Sequence, residues 1–365
     1  MDGRAFIQRL RAKKDKLFWA ALIWRLLAML ELIHYLLLRL REIFYGFKLK
    51  KRREVNTPVI SVGNITAGGT GKTPLVIYLA ERLLARGFKP AVLSRGYGSS
   101  LKGPVVVSEG DGPLLKQGEV GDELFLLARL LSGVPLILGC DRYRAALLAE
   151  ESFSPDLILL DDAFQHWQLE RQLDLVVIDA SHPFGGGNLL PRGFLREPLS
   201  SLSRAGAFIL SRSDQVSGER LGEIKEKIRL YNSETPIYTS RHLPSLLYRL
   251  GSSSKEQQYS PDYLSGRELL AFCGLGNPDS FRHTLEDLGA EVMEFVSFPD
   301  HHRYQKQDLQ MLEERAKGLG VRLILTTEKD AVKLTDLKQA QDLKWMVLGI
   351  EMELEEGEKV LEIFS

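Results

Sequence analysis

Apolar residues along this chain fall into short continuous runs separated by helix-period stretches. The first run, Pro58–Asn64 (PVISVGN), is rich in β-branched residues and ends in glycine; a glycine-rich loop and the helical pattern of Leu75–Arg86 follow. Similar runs recur at Pro90–Ser94, Val105–Ser108, Pro135–Leu138, Asp156–Leu160, Leu173–Ile178 and Ala207–Leu210. Helical stretches, including Asp122–Leu131 and Arg142–Ser152, lie between several of them. Unbroken Val/Ile/Leu runs are what strands covered on both faces require, so the pattern predicts an α/β fold: a mostly parallel sheet with helices on both faces. From Pro236 to Ser265 the pattern dissolves into Ser, Gln, Pro and Tyr, which predicts a linker over 241–265. It would separate a domain spanning 54–240 from a second, smaller α/β domain at 266–365. In the latter, strands are expected at Leu269–Cys273, Glu291–Phe295, Arg322–Thr326 and Trp345–Ile350, and helices at Ser280–Leu288 and Gln307–Leu319.

The amino-terminal segment, 1–53, is different. Leu17–Leu38 is apolar except for Arg25, Glu31 and His34, and is long enough to span a bilayer. Arg25 and Glu31 would be costly inside hydrocarbon, and basic residues flank both ends, so the positive-inside rule selects no orientation. No A-x-A-like cleavage site follows. A helix lying in the membrane interface fits these features better, with Trp19, Trp24 and the leucines in the acyl boundary and Lys/Arg on lipid phosphate. Because the apolar positions make no single clean stripe, part of the segment is expected to pack on the body.

Composition sharpens this. The 365 residues carry 48 basic and 48 acidic side chains, 44% of the chain is hydrophobic, and disordered, collagenous and disulfide-scaffold classes are excluded. The zero net charge conceals a segment, 1–53, with 14 Lys/Arg against 4 Asp/Glu, joined to a body of opposite sign. That asymmetry predicts a basic module for an anionic membrane surface and argues against a nucleic-acid partner. Cys140 and Cys273 form no metal or disulfide spacing; both read as small buried apolar residues in a reducing cytoplasm.

The strongest chemical signal is Ser61–Pro74 (SVGNITAGGTGKTP) between a strand and a helix. Gly68, Gly69, Thr70 and Gly71 let backbone amides wrap a phosphate; Lys72 can reach the β/γ-phosphates of a nucleotide and Thr73 can hold Mg²⁺. Pro74 suits the first helical position, and Thr66 stands where the strict phosphate-loop pattern has its first glycine. A buried strand ending in Asp161-Asp162 supplies the carboxylates a Mg²⁺-nucleotide site needs. Gly121-Asp122-Glu123 opens a helix, where carboxylates also serve as caps; Asp141-Arg142-Tyr143-Arg144 reads as a site element or a surface ion pair; Asp300-His301-His302 reads as a base, a phosphate contact or an exposed pair. Gly274-Leu275-Gly276-Asn277 reads as a lone glycine turn of little weight.

Taken in order, Val62–Pro74, Ser94–Gly98 (SRGYG), Gly121–Glu123, Asp161–His166 (DDAFQH), Phe184–Leu199 (FGGGNLLPRGFLREPL), Asp300–His302 and Thr327–Leu334 (TEKDAVKL) resemble the tetraacyldisaccharide 4′-kinases of lipid A biosynthesis along nearly the whole chain. The sequence departs from the family at Ala163, where glycine is usual, and at Arg192, where a small residue is usual. The resemblance implies a P-loop NTPase-like fold and transfer of the ATP γ-phosphate to the 4′-hydroxyl of a tetraacylated glucosamine disaccharide 1-phosphate. The enzyme would be peripheral or monotopic on the cytoplasmic face of a Gram-negative inner membrane, with ATP and Mg²⁺ as cofactors; a monomer fits, although the oligomeric state is open. It further implies Asp122 as base, tuned by His301 or His302; Thr73 with Asp161 or Asp162, and Glu197, toward Mg²⁺; and Arg142 neutralising the transferring group. Arg196 would do the same or bind substrate, Asn64 and Arg95 are placed at the substrate, and His166 would support the carboxylate pair from behind or line the substrate site. A membrane-recruited P-loop ATPase acting as a switch or scaffold is the alternative, and a soluble small-molecule kinase a third reading.

Overall fold

The computed structural model describes residues 7, 11, 18–251, 258–334, 337, 340 and 342–362. Arg4, Arg9, Lys13, Lys14 and Lys16 of the basic cluster, and 252–257 of the expected linker, lie outside the described residues. The strand runs assemble into one sheet of thirteen strands. At its centre β1 (Val59–Gly63) lies between β5 (Leu157–Asp161) and β6 (Leu173–Asp179). β2 (Pro90–Ser94), β4 (Leu136–Leu138) and β3 (Val105–Ser108) continue one way and β7 (Ala207–Ser211) the other. All of these pairs are parallel except β3 with β4.

Strands buried on both faces explain the unbroken apolar runs. Ile60 and Val62 of β1 join Leu75, Leu79 and Leu83 of helix α2 (Lys72–Ala85) and Leu124 and Leu127 of α3 (Asp122–Leu130). Val59 belongs to the opposite face, with the alanines Ala145, Ala146 and Ala149 of α4 (Arg142–Phe153). On that same side β7 is covered by Ile224 and Ile228 of α5 (Gly218–Arg229).

The expected linker is in large part a strand. β8 (Ile237–Arg249) runs thirteen residues; its start pairs parallel with β7, and the rest pairs antiparallel with β13 (Lys344–Leu354). The composition that suggested a linker comes from this ribbon's partly exposed position: its alternating polar residues need only one covered face. The short β9 (Gln258–Tyr259) pairs with it. Beyond β13 lie β12 (Leu323–Thr327), β10 (Glu268–Cys273) and β11 (Glu291–Ser297), all parallel, with α6 (Pro278–Asp287) and α7 (Lys306–Gly318) on opposite faces. A bulge where Gly349 and Ile350 pair with Leu246 and Pro244 interrupts the β8–β13 ladder, and bulges bend strands.

At the amino terminus, α1 (Phe18–Gly46) docks along one narrow edge. Trp24, Glu31 and Leu38, spaced by seven, turn inward. The Glu31 carboxylate accepts from the Leu189 amide at 2.8 Å and from Arg192 at 3.0 Å, while Arg41 pairs with Glu197. Phe18, Trp19, Leu22, Leu26, Met29 and Leu36 remain exposed. Of the cysteines, Cys273 is buried as expected. Cys140 is exposed, because it lies in the loop past β4 rather than in the strand.

Glycine at 63 is a packing requirement. A Cβ there would stand 2.5 Å from Phe164 Cβ and 2.6 Å from its amide nitrogen. Gly63→Ala is therefore expected to lower stability by about 1–3 kcal/mol, the usual cost of overpacking, and to weaken ATP binding by shifting the loop that follows. Unchanged thermal unfolding would show that β1 and the turn after β5 separate more easily than this contact implies.

Candidate active site

The loop between β1 and α2 is tied back from behind. Asn64 Nδ2 donates to Thr70 Oγ1 at 2.9 Å, Ser211 Oγ donates to the Thr70 carbonyl at 2.8 Å, and Arg212 Nη1 donates to the Gly69 carbonyl at 3.2 Å. The amides of Gly68, Gly69, Thr70 and Gly71 donate to no protein acceptor among the described residues, which leaves them for an anion. Helix α2 begins at Lys72 with Gly71 as its cap, so Lys72 and Thr73 occupy its positive end. Pro74 is consequently the third helical residue rather than the first, a position whose amide is still unneeded.

Asp161 and Asp162 lie beside this loop with different partners. Asp161, last residue of β5, is buried and accepts from Ser94 Oγ at 3.0 Å. Burial, aided by the negative charges of Glu123 and Asp162, pushes its carboxyl up to about 6. Asp162 has a left-handed φ of 50° that turns its side chain toward Lys72, 3.6 Å away, and toward Arg196, which donates to both oxygens at 2.8 and 3.0 Å. Burial opposes its ionisation, but Lys72 and Arg196 prevail and hold it below the usual carboxylate range.

Arg142 is 2% exposed and gives its Nη groups to the carbonyls of Gly139 and Asp161. It lies behind the carboxylate pair instead of projecting toward a transferring group; burial lowers its pKa to about 10. Arg95 is exposed at the end of β2, whereas Asn64 is fully buried as a brace for the loop, so a direct substrate contact is not its place. His166 is driven to about 4 by burial and by the charges of Arg142 and Arg171, and is therefore neutral at physiological pH. The largest departure concerns Glu197. Expected near metal, it is 1% exposed and both its oxygens are taken, one by Arg41 of α1 and one by Arg204. It docks the amino-terminal helix. Hard oxygen donors suited to Mg²⁺ remain in Thr73, Asp161 and Asp162.

The second half of the sheet closes over this cluster. Asp122, first residue of α3, accepts from Gln117 Nε2 at 2.9 Å, and its other oxygen lies 4.0 Å from Lys333 Nζ. Lys329 bridges Glu123 at 3.1 Å and Asp300 at 3.2 Å. His301 meets the Tyr97 ring at 5.4 Å between centroids, so it faces the first half. His302 turns the other way: its ring stacks on Phe298 and stands edge-on to Tyr304, and Nε2 lies 3.0 Å from Asp308. The Gly274–Asn277 turn also matters more than its sequence suggested. A Cβ on Gly276 would stand 3.1 Å from the Gly69 amide nitrogen, and Asn277 donates to Ser181 Oγ at 3.1 Å.

Four contributors escaped sequence reasoning: Ser94, Arg212, Lys329 and Lys333. Arg212 joins the loop to Asp179 at 2.6 Å and to Ser280 of α6 at 3.0 Å. Its signal was only a Ser-Arg pair after a strand. Lys329 and Lys333 lie in TEKDAVKL, where a four-residue spacing puts both amines on one face of a helical turn.

Two carboxylates respond to substitution in opposite directions. With its folded pKa above the unfolded one, ionised Asp161 destabilises the fold progressively as pH rises from about 4 through about 6. Asp161→Asn is expected to raise stability by about 1–3 kcal/mol at pH 7.5 and by little at pH 4, measured by denaturant unfolding. Glu197→Gln is expected to cost about 2–3 kcal/mol while leaving the Mg²⁺ dependence of ATP binding unchanged. A shifted Mg²⁺ dependence would return Glu197 to the metal.

Comparison with known proteins identifies the family. Residues 23–364 match the family model described as tetraacyldisaccharide-1-P 4′-kinase. The tetraacyldisaccharide 4′-kinase of Halothermothrix orenii is 48% identical over 341 residues, covering 90% of this chain and 88% of that protein. That of Syntrophus aciditrophicus is 42% identical over 320 residues, covering 86% and 84%. The crystal structure of Aquifex aeolicus LpxK in complex with ATP superposes with a TM-score of 0.72 at 31% identity, over 94% of this chain and 98% of that one. With a family model spanning nearly its whole length and relatives this similar, the chain belongs to the tetraacyldisaccharide-1-P 4′-kinase family.

Proposed function

We propose that this chain uses ATP to phosphorylate the 4′-hydroxyl of a tetraacylated disaccharide 1-phosphate at a membrane surface. The observation that carries the reading is the convergence of Asp122, Lys333, Lys329, Asp300 and the His301 ring on one cleft above the phosphate loop. A nucleotide switch has no need for such a constellation; an acceptor hydroxyl does. Lys72 and the loop amides hold the β- and γ-phosphates. Thr73 with Asp161 and Asp162 would hold Mg²⁺, which when bound supplies positive charge to the phosphate oxygens. Asp122 takes the proton of the 4′-hydroxyl as that oxygen bonds to the γ-phosphorus, and ADP departs with the electrons of the broken bridge bond. Lys333 orients the Asp122 carboxylate, and His301, on the second half, completes the site as the halves close. Arg196 holds Asp162 in place from the acceptor side.

The amino-terminal helix supports a membrane location. Its inward edge is satisfied by the body, which leaves a large apolar surface whose burial in acyl chains is favourable, flanked by Lys and Arg suited to lipid phosphate. The docked edge also explains how Glu31 sits in an apolar run: it faces Arg192, not lipid.

With γ-labelled ATP and a lipid disaccharide 1-phosphate acceptor, label is expected in the lipid, and Lys72→Ala and Asp122→Ala are each expected to reduce transfer about 100-fold or more without unfolding the protein. Release of label only as free phosphate would favour the switch, and full activity of Asp122→Ala would remove the base.

Removing residues 1–45 would also remove Arg41 and strand Glu197, so the membrane test uses polar substitutions instead. Phe18→Ser, Trp19→Ser and Leu22→Ser together are expected to cut sedimentation with anionic vesicles at least tenfold while ATP binding holds, since each exposed apolar side chain contributes about 1.5–3 kcal/mol on burial. Undiminished vesicle binding would refute the anchor.

A further inference from the structure

Asp330 is a fully buried carboxylate in the helical turn Glu328–Ala331 that follows β12. A buried charge persists only where its neighbours compensate it, and each Asp330 oxygen has partners of its own. Oδ2 accepts from the Gly274 amide at 2.9 Å and from the Thr327 hydroxyl at 2.8 Å. Oδ1 lies 3.1 Å from Lys333 Nζ, one helical turn further along. Both donors to Oδ2 are fixed through the backbone. Thr327 caps the helical turn, its Oγ1 accepting from the Asp330 amide, and Gly274 opens the loop whose Gly276 reaches the phosphate loop at Gly69. Glycine is needed at 274, because a Cβ would stand 3.1 Å from Asp330 Oδ1 and 3.2 Å from the Pro299 carbonyl. The Asp330 carboxylate is therefore placed relative to the nucleotide side of the cleft independently of Lys333.

Lys333 stands between two carboxylates. Its ammonium is 3.1 Å from Asp330 and 4.0 Å from Asp122 Oδ2, with the Tyr304 ring centroid 5.8 Å away. Only the shorter of the two carboxylate distances is a hydrogen bond. Asp122 thus has one oxygen, Oδ1, held by Gln117 and another, Oδ2, that accepts no hydrogen bond among the described residues although a cation stands beside it. The Asp122 side chain is 25% exposed, open to the cleft, whereas that of Lys333 is 4% exposed and committed to its two carboxylates. A general base needs such an oxygen: ionised, stabilised by nearby positive charge, and with lone pairs open to the hydroxyl that it deprotonates. The lysine stem is flexible enough to close the remaining distance and occupy that oxygen, and the pull of Asp330 from the other side is what opposes it. We propose that Asp330 is a positioning residue that draws Lys333 off Asp122, keeping the base charged yet open to the acceptor hydroxyl. This deepens the function proposed above and rests on it.

The experiment is a mutant cycle on the full chain in detergent micelles, with γ-labelled ATP and the lipid disaccharide 1-phosphate as acceptor. Asp330→Asn keeps an acceptor for the Gly274 amide and the Thr327 hydroxyl but removes the charge that holds Lys333. It is expected to lower kcat about tenfold or more, as the ammonium moves onto Asp122, while KM for ATP stays within about twofold. Adding Lys333→Met removes that ammonium. The double variant is therefore expected to equal or exceed Asp330→Asn in kcat, although Lys333→Met alone is also impaired. A merely structural role for Asp330 would give losses that multiply, and that result overturns the proposal, as does full kcat in Asp330→Asn. Thermal unfolding is followed for each variant. If Asp330→Asn does not fold, Thr327→Val, which takes one hydrogen bond from the same carboxylate, replaces it in the cycle under the same criteria, with an expected loss of about threefold. Wild-type protein that hydrolyses ATP without labelling the acceptor would defeat the kinase reading itself, whereas a working kinase with multiplying losses defeats this inference alone.

Discussion

One strand determines where everything else can stand. β8 is paired parallel to β7 for its first three residues and antiparallel to β13 for most of the remainder. It therefore extends the central sheet about 30 Å beyond the carboxyl ends of the parallel strands, at roughly 3.3 Å per residue. The second half hangs on that extension and runs back antiparallel to it. Its own carboxyl ends, which carry Gly274–Asn277, Asp300–His302 and Lys329–Lys333, are thus returned toward those of the first half. In open α/β sheets ligands bind outside the carboxyl ends of strands, and here two such edges confront each other across one cleft. The bulge near Pro244 bends the ribbon at the point where the halves must approach.

Confrontation alone would be repulsive, since the first half brings Asp122, Glu123, Asp161 and Asp162 to its edge. Lys72 and Arg196 answer Asp162 from within that half, whereas Glu123 and Asp122 are answered from the other by Lys329 and Lys333. Closure therefore depends on charge as well as on backbone contact. Lys329 illustrates the balance: burial disfavours its ammonium, but Glu123 and Asp300 on either side more than compensate and raise its pKa. Asp161 forms no ion pair among the described residues and accepts only from the Ser94 hydroxyl, so burial, together with the charges of Glu123 and Asp162, raises its pKa against the pull of Lys72. A buried carboxylate so under-compensated by its protein neighbours is one that a bound divalent cation would satisfy.

The sequence disclosed the parts of this arrangement that depend on local order. The apolar runs marked β1 to β7 to within a residue or two, and the phosphate loop was legible because glycines, lysine and threonine must follow a strand at fixed spacing. The ribbon was not legible, because a half-exposed strand with polar alternation resembles a linker in composition. The partners of Glu197 were illegible for a related reason. Only the three-dimensional positions of Arg41 and Arg204 reveal that its oxygens are already paired. The Asp300–His302 string likewise contains two identical side chains, and no sequence rule states that a φ of 58° at His301 sends the neighbouring rings opposite ways.

Glu197 also changes how the amino-terminal helix should be understood. A membrane anchor on a flexible tether would leave the catalytic body free to tumble above the lipid surface, and a lipid acceptor would have to find the cleft unaided. α1 is not tethered in that way. Its heptad-spaced edge locks onto Leu189 through Glu31 and onto the segment beside the Asp pair through Arg41, so the same segment, Phe184–Leu199, touches the helix, the phosphate loop and Asp162. Insertion of the exposed face into acyl chains would then fix the cleft's height and tilt over the bilayer. The zero net charge of the chain is the sum of a basic module and an acidic body, and on the proposed membrane location rigid coupling would make that division useful, because the body's orientation, and not merely its presence, would decide whether a membrane-bound hydroxyl reaches the transferred phosphate.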